Sequence, residues 1–364
     1  NFHRIDEELF RSFLEAHESG VYVLASPLSS VDREAPSADE IQSLLRLCKQ
    51  HVDYVVVDGG TSISEELQPL LRESDDRLLV VVGPCSIHDP AAAREYAGQL
   101  RDFAEQVRDD LCIVMRVYFE KPRTTVGWKG FINDPYLDES FKVNDGLRQA
   151  RALLANLTEL KLPCATEFLD TTFGQYFSDL ISWGAIGART VESQVHRQLA
   201  SGLSMPVGIK NSTSGNVSVA VDALLAAKSS HLFPSLTKEG APALLETTGN
   251  PDCHLILRGG LKPNFAAADV NQAAEELRER GIDTGIVVDC SHGNSSKDPT
   301  RQPFVAKEVV AQRQQGQNKL IGIMIESHLQ GGRQDIAENY GQSITDACLD
   351  WVDTAELLIA LNGA

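Results

Sequence analysis

From residue 77 onward, short apolar runs rich in β-formers alternate with stretches of helical spacing. The runs span 77–86, 111–119, 163–169, 183–188, 206–211, 231–237, 253–260, 285–293 and 321–329. Continuous apolar strands separated by helices predict a parallel sheet covered on both faces. Between the runs, residues 268–281 have helical spacing and stop at Gly281, and residues 89–107 place Asp89 as an N-cap with Pro90 behind it. Nine runs exceed by one the strands of an eight-stranded barrel. The run HLFPSLT carries Pro234, which a central strand tolerates poorly, so it is assigned to a hairpin excursion between barrel strands 5 and 6. The other eight fit an α/β fold, a (β/α)8 TIM barrel over residues 77–364. An open doubly wound sheet is the alternative, but no GxGxxG follows a first strand.

The placement of polar residues decides for the barrel. Cys85, Arg116, Glu167, Arg189, Lys210, Arg258, His292 and Glu326 each stand at the C-terminal end of an apolar run. One such residue is an ordinary capped strand end. Eight at the same end match the active-site face of a TIM barrel.

Residues 1–76 follow another pattern. Residues 6–20 and 40–50 have helical spacing, 26–39 read as a loop and 53–60 as a strand. They are assigned to an N-terminal extension packing outside the barrel. The strand DYVVVDGG superficially resembles the acidic strand of a P-loop ATPase, but no GxxxxGK[ST] accompanies it.

Charge narrows the function. The chain of 364 residues has 33 basic and 51 acidic side chains, a net charge of −18. That argues against sequence-independent nucleic-acid binding, and anionic ligands then need a local basic cluster. No run approaches the ~20 apolar residues of a membrane span. The opening NFHRIDEELF is polar where a leader would be apolar, so a cytoplasmic location is expected. The 7 cysteines are scattered without a CxxC pair, as in a reducing compartment.

Two groups carry chemistry. Cys85, His292 and Glu326 at strand ends, with Asp346 after the last strand, form a mixed soft and hard ligand set suited to Mn, Fe, Co or Zn. Each also has an ordinary reading: a buried thiol, a hydrogen-bonded imidazole, a capping carboxylate. Arg116, Lys121, Arg123, Arg189, Lys210 and Arg258 form a second group, with hydroxyls from Thr124 and Thr125 nearby. Their number suits two phosphorylated small substrates.

The segments GPCSIHDP (83–90), RVYFEKPRTTVGWKG (116–130), GARTVESQVHRQLASGLS (187–204), GIKN (208–211), ILRGG (256–260), DCSHGNSSKD (289–298), IESHL (325–329) and SITDAC (343–348) resemble 3-deoxy-D-arabino-heptulosonate 7-phosphate (DAHP) synthases of the type regulated by aromatic amino acids. The resemblance runs from about residue 74 to 357. It implies condensation of phosphoenolpyruvate with erythrose 4-phosphate, the first step of the shikimate pathway. It implies one divalent metal on Cys85, His292, Glu326 and Asp346. Arg116, Lys121, Arg189, Lys210 and Arg258 would surround phosphoenolpyruvate, with Glu167 reaching it through water. Arg123 and Thr124 would hold the tetrose phosphate, and Lys121 would serve as general acid. A homodimer or homotetramer is implied too.

The same resemblance places an inhibitor pocket outside the barrel at Gly174, Gln175, Ser204, Phe233 and Ser235. Gly174, where Phe- or Tyr-sensing relatives often carry Pro, favours tryptophan as effector. The first ~70 residues and the stretch 330–342 depart from the family pattern. A related phosphoenolpyruvate–sugar phosphate synthase and a non-catalytic barrel that binds aromatic amino acids are the competing readings.

Overall fold

The computed structural model describes residues 15–16, 22–23, 62–71, 75–237 and 240–363. The chain divides into two compact units, Asn1–Gly60 and Thr61–Ala364. In the first, strands β1 (Glu15–Ala16) and β2 (Tyr22–Val23) pair antiparallel. This corrects part of the helix expected over residues 6–20. The rest of that helix, the loop over 26–39, the helix over 40–50 and the strand over 53–60 lie outside the described residues.

The second unit opens with helix α1 (Ser62–Leu71), which the sequence reading passed over. Then come β3 (Leu78–Gly83), α2 (Pro90–Val107), β4 (Leu111–Arg116), α3 (Val143–Glu159), β5 (Cys164–Glu167), β6 (Trp183–Ile186), α4 (Gln194–Gly202), β7 (Val207–Lys210) and α5 (Ser218–Ala227). A hairpin, β8 (His231–Leu236) and β9 (Pro242–Thr247), precedes β10 (His254–Leu257), α6 (Ala267–Glu279), β11 (Ile286–Asp289), α7 (Gln302–Gln314) and β12 (Leu320–Glu326). Short strands β13 (Gln330–Arg333) and β14 (Gln342–Ser343) and helix α8 (Trp351–Leu361) complete the unit.

Strands β3, β4, β5, β6, β7, β10, β11 and β12 close into a parallel barrel. These are the eight runs assigned to it. The β8–β9 hairpin stands outside, between the fifth and sixth barrel strands, with Pro234 in its first strand. Asp89 caps α2 as its sequence suggests, accepting from the Ala91 N–H at 2.7 Å.

Two apolar layers follow from strand alternation. Leu78, Val80 and Val82 of β3, with their counterparts on the other strands, pack outward against the helices. Leu79, Val81, Val114, Ala165, Trp183, Ala185, Ile256, Val287 and Met324 fill the interior. Leu67, Leu70 and Leu71 of α1 join that interior cluster, on the i, i+3, i+4 face of their helix. A closed apolar interior leaves polar groups one place to gather, the C-terminal mouth.

Candidate functional site

Moving two residues on from interior apolar positions brings the chain to charge. Val114 leads to Arg116, Ala165 to Glu167, Gly208 to Lys210, Ile256 to Arg258, Val287 to Asp289 and Met324 to Glu326. The two-residue period keeps each charged side chain on the interior face, one pleat higher.

A thiol and two carboxyl groups meet there. Ligand atoms of Cys85, Glu326 and Asp346 lie within 4.8 Å of one another. Burial pushes the Cys85 thiol above its ordinary value, and the Glu326 and Asp346 charges push it further. Lys121 and Arg116 act in the opposite direction without reversing the shift. His292 reaches the edge of this group, with Nε2 3.8 Å from Glu326 Oε1. Its Nδ1 is held by Ser291 Oγ at 2.6 Å and Asp289 Oδ2 at 3.0 Å, which aims Nε2 at the cluster. His292 adopts a left-handed backbone with φ of 51°, a conformation that non-glycine residues rarely hold without a reason. A thiol, two carboxylates and an oriented imidazole suit a divalent transition metal, whose charge would stabilise the crowded anions.

A cleft opens beside these groups. Its lining includes all six predicted basic residues, Arg116, Lys121, Arg123, Arg189, Lys210 and Arg258, with Glu167, His292 and Asp346. Lys121 Nζ lies 3.1 Å from both Cys85 Sγ and the Cys85 carbonyl oxygen. Arg116 is fully buried. It donates to Glu326 Oε1 at 2.8 Å, to Pro84 O at 3.0 Å and to Cys85 O at 3.2 Å, and its guanidinium carbon lies 3.7 Å from the centre of the Tyr118 ring. Burial alone would lower the Arg116 pKa; Glu326 foremost among its neighbours outweighs that and keeps it charged. Burial lowers the Arg258 pKa, with Asp289 opposing. Gly187 is required by close approach: a Cβ there would stand 2.0 Å from Glu167 Oε1. Thr124 and Thr125 are exposed and do not line the cleft.

Three further residues escaped sequence reasoning. Asp289, fully buried, accepts from Lys210 Nζ at 2.7 Å as well as facing His292. Burial would raise its pKa, but Lys210 and His292 hold it well below the carboxylate range. Thr345 joins the cleft lining, its Oγ1 2.8 Å from Ser86 Oγ. Glu120 is buried beside the cleft and bonds to the next loop. Asp289 had a signal, an acid two residues beyond an interior valine.

The five candidate effector residues fall on three segments. Gly174 and Gln175 lie on a 3-10 turn (Phe173–Tyr176), Ser204 just beyond α4, and Phe233 and Ser235 on β8. The hairpin meets α4 through Ser201 Oγ and Thr247 Oγ1 at 2.7 Å. It meets the turn at Gly240, where a Cβ would lie 3.7 Å from Tyr176 Oη.

A sequence model of the DAHP synthetase I family matches residues 61–359. The chain belongs to this family. It is 55% identical over 302 residues to a Phe-sensitive phospho-2-dehydro-3-deoxyheptonate aldolase of Escherichia coli (strain K12), covering 82% of this chain and 86% of that protein. A Trp-sensitive relative from Buchnera aphidicola subsp. Schizaphis graminum is 50% identical over 320 residues, covering 87% and 92%. The structure of phospho-2-dehydro-3-deoxyheptonate aldolase from Francisella tularensis SCHU S4 has a TM-score of 0.82 and 50% identity, covering 87% of this chain and 94% of that one. The barrel expected from the sequence is therefore that of the DAHP synthetase I family. Among the described residues no helix is long and apolar enough to cross a membrane.

Proposed function

We infer that this member of the DAHP synthetase I family condenses phosphoenolpyruvate with erythrose 4-phosphate and water to give DAHP and inorganic phosphate. The observation that carries this is one cleft lined by six cations and bordered by Cys85, Glu326 and Asp346. Six cations in a chain of net charge −18 suit two phosphorylated substrates held together.

In this reading Arg116, Lys121, Arg189, Lys210 and Arg258 hold phosphoenolpyruvate, with Glu167 orienting a water toward it. Arg123 takes the tetrose phosphate from the cleft wall, with Thr124 next to it on the exposed loop. A divalent ion (Mn, Fe, Co or Zn) on Cys85, His292, Glu326 and Asp346 supplies Lewis-acid polarisation of the aldehyde oxygen. Holding two polyanions in attack geometry removes much of the entropic barrier to their meeting. The C3 carbon of phosphoenolpyruvate bonds to the aldehyde carbon, and Lys121 gives its proton to the aldehyde oxygen. Water adds at C2, and the hemiketal phosphate expels inorganic phosphate to leave the ketone. Cys85 and His292 would contribute as ligands of that ion.

The reading extends to a catalytic barrel over residues 77–364, a homodimer or homotetramer, and feedback by an aromatic amino acid at Gly174, Gln175, Ser204, Phe233 and Ser235. Tryptophan is the favoured effector because Gly174 stands where Phe- or Tyr-sensing relatives often carry Pro. A cytoplasmic location is supported by the six described cysteines, all free thiols.

Phosphoenolpyruvate consumption with erythrose 4-phosphate and Mn²⁺, with and without EDTA, tests the activity. Tetrose-dependent, EDTA-sensitive loss is expected, and repeating it with Trp, Tyr and Phe identifies the effector. No turnover in a folded, metal-loaded sample sinks the reading.

A further inference from the structure

The loop after β4 leaves the barrel as a closed arm. Glu120 and Gly130 pair antiparallel at its base, and the Lys121 N–H donates to Lys129 O at 2.9 Å. The arm, residues 121–129, carries Lys121, Arg123 and Thr124. The Glu120 side chain turns inward instead and is only 4% exposed. Its two oxygens accept the Asp170 N–H at 3.2 and 3.4 Å. Asp170 belongs to the loop after β5, three residues beyond Glu167, which lines the cleft. Two other buried acids of this region face cations, Asp289 with Lys210 and Glu326 with Arg116. Glu120 has no ion-pair partner among the described residues, and burial pushes its pKa up to about 8. The hydrogen-bond partner of this buried carboxyl is the backbone of a second loop, so it links the two loops.

We propose that Glu120 is a positioning residue, tying the base of the arm to the loop behind Glu167 and so fixing where Lys121 and Arg123 stand over the cleft. The proposal rests on the condensation reading for its kinetic consequence but not for its structural one. Hydrogen exchange on the full chain reads the structural part. Glu120→Ala should speed exchange across residues 121–129 and leave the barrel strands as in the wild type.

Steady-state kinetics with Mn²⁺ read the consequence. Glu120→Ala should raise KM for erythrose 4-phosphate roughly tenfold, at least about three times more than KM for phosphoenolpyruvate. Glu120→Gln retains one acceptor for the Asp170 N–H, so its effect should be about two- to fivefold. If the alanine variant does not fold, the glutamine variant decides by the same two measurements. Unchanged exchange in the arm, or equal changes in both KM values, overturns the proposal. A wild-type chain without turnover defeats the condensation reading instead, and the exchange result alone then decides the role of Glu120.

Discussion

Lys210 Nζ lies 2.7 Å from Asp289 Oδ2, with both side chains buried at the barrel mouth. The same carboxylate oxygen stands 3.0 Å from His292 Nδ1. Asp289 thus links a cation of the cleft to an imidazole of the candidate metal set. Asp289→Asn would leave the Lys210 ammonium buried without a counter-charge. The expected cost is about 3–5 kcal/mol of stability, because breaking one side of a buried pair strands the other. Weaker Mn²⁺ binding by about 10–100-fold should accompany it, since the imidazole loses its orienting partner. Urea unfolding and a Mn²⁺ titration check the two effects separately. Wild-type behaviour in both would mean that Asp289 neither pairs nor orients.

Gly187 offers a sharper steric test. A methyl group there would occupy the position of the Glu167 carboxylate, 2.0 Å from Oε1. Gly187 follows directly on β6, whose backbone is fixed by the barrel, so Glu167 must move. Gly187→Ala should fold, because only a side chain at the mouth gives way. It should lower kcat/KM for phosphoenolpyruvate by about 10- to 100-fold, the scale of a misplaced site group. Unaltered kinetics would remove Glu167 from the reaction.

Much of this site was legible because a barrel interior forces a simple code. Residues at every second strand position must be apolar until the mouth, so Arg116, Lys210, Arg258 and Glu326 stand out as charges at strand ends. Asp289 obeys the same code, but it opens the polar run DCSHGNSSKD, in which His292 is the more obvious ligand type. Helix α1 was missed although Leu67, Leu70 and Leu71 have helical spacing; its role emerges only from the closed barrel whose interior cluster it joins. What sequence could not give is which partner each charge takes. Arg116, expected to face a phosphorylated substrate, is also tied to Glu326 and stacked on Tyr118. Glu120 looks in sequence like one more loop acid, and only its burial against Asp170 sets it apart.

Metal binding should appear as stability as well as activity. An ion bound only by the folded chain stabilises it, by about 2.7 kcal/mol at a hundred times Kd. Adding Mn²⁺ should therefore raise Tm by several degrees, and EDTA should reverse the rise. Cys85→Ser should lose most of the response, since it removes the soft ligand while changing little else in volume. Differential scanning calorimetry with and without Mn²⁺ makes the comparison. A full Mn²⁺ response in Cys85→Ser would exclude the thiol from the site.

Acid sensitivity should arise in part at His254 and His328, two of the three buried histidines among the described residues. His254 accepts from Trp183 Nε1 at 3.1 Å, and burial pushes its pKa down to about 4. His328 is also pushed down to about 4, by burial first and by His88 second. Unfolded, both would titrate at the ordinary histidine value of 6.5. Between about pH 6.5 and 4 the unfolded chain binds these protons and the folded chain does not, so stability falls as the pH drops through that window. Each histidine contributes up to about 3 kcal/mol, at about 1.4 kcal/mol per pKa unit. His254→Gln keeps an acceptor for Trp183 but cannot gain a charge. Its unfolding free energy should therefore decline less steeply between pH 6.5 and 4, by about half of the part the two histidines share. A slope equal to the wild type's would show that His254 is already protonated in the folded chain, and that its bond from Trp183 is broken in acid before the barrel unfolds.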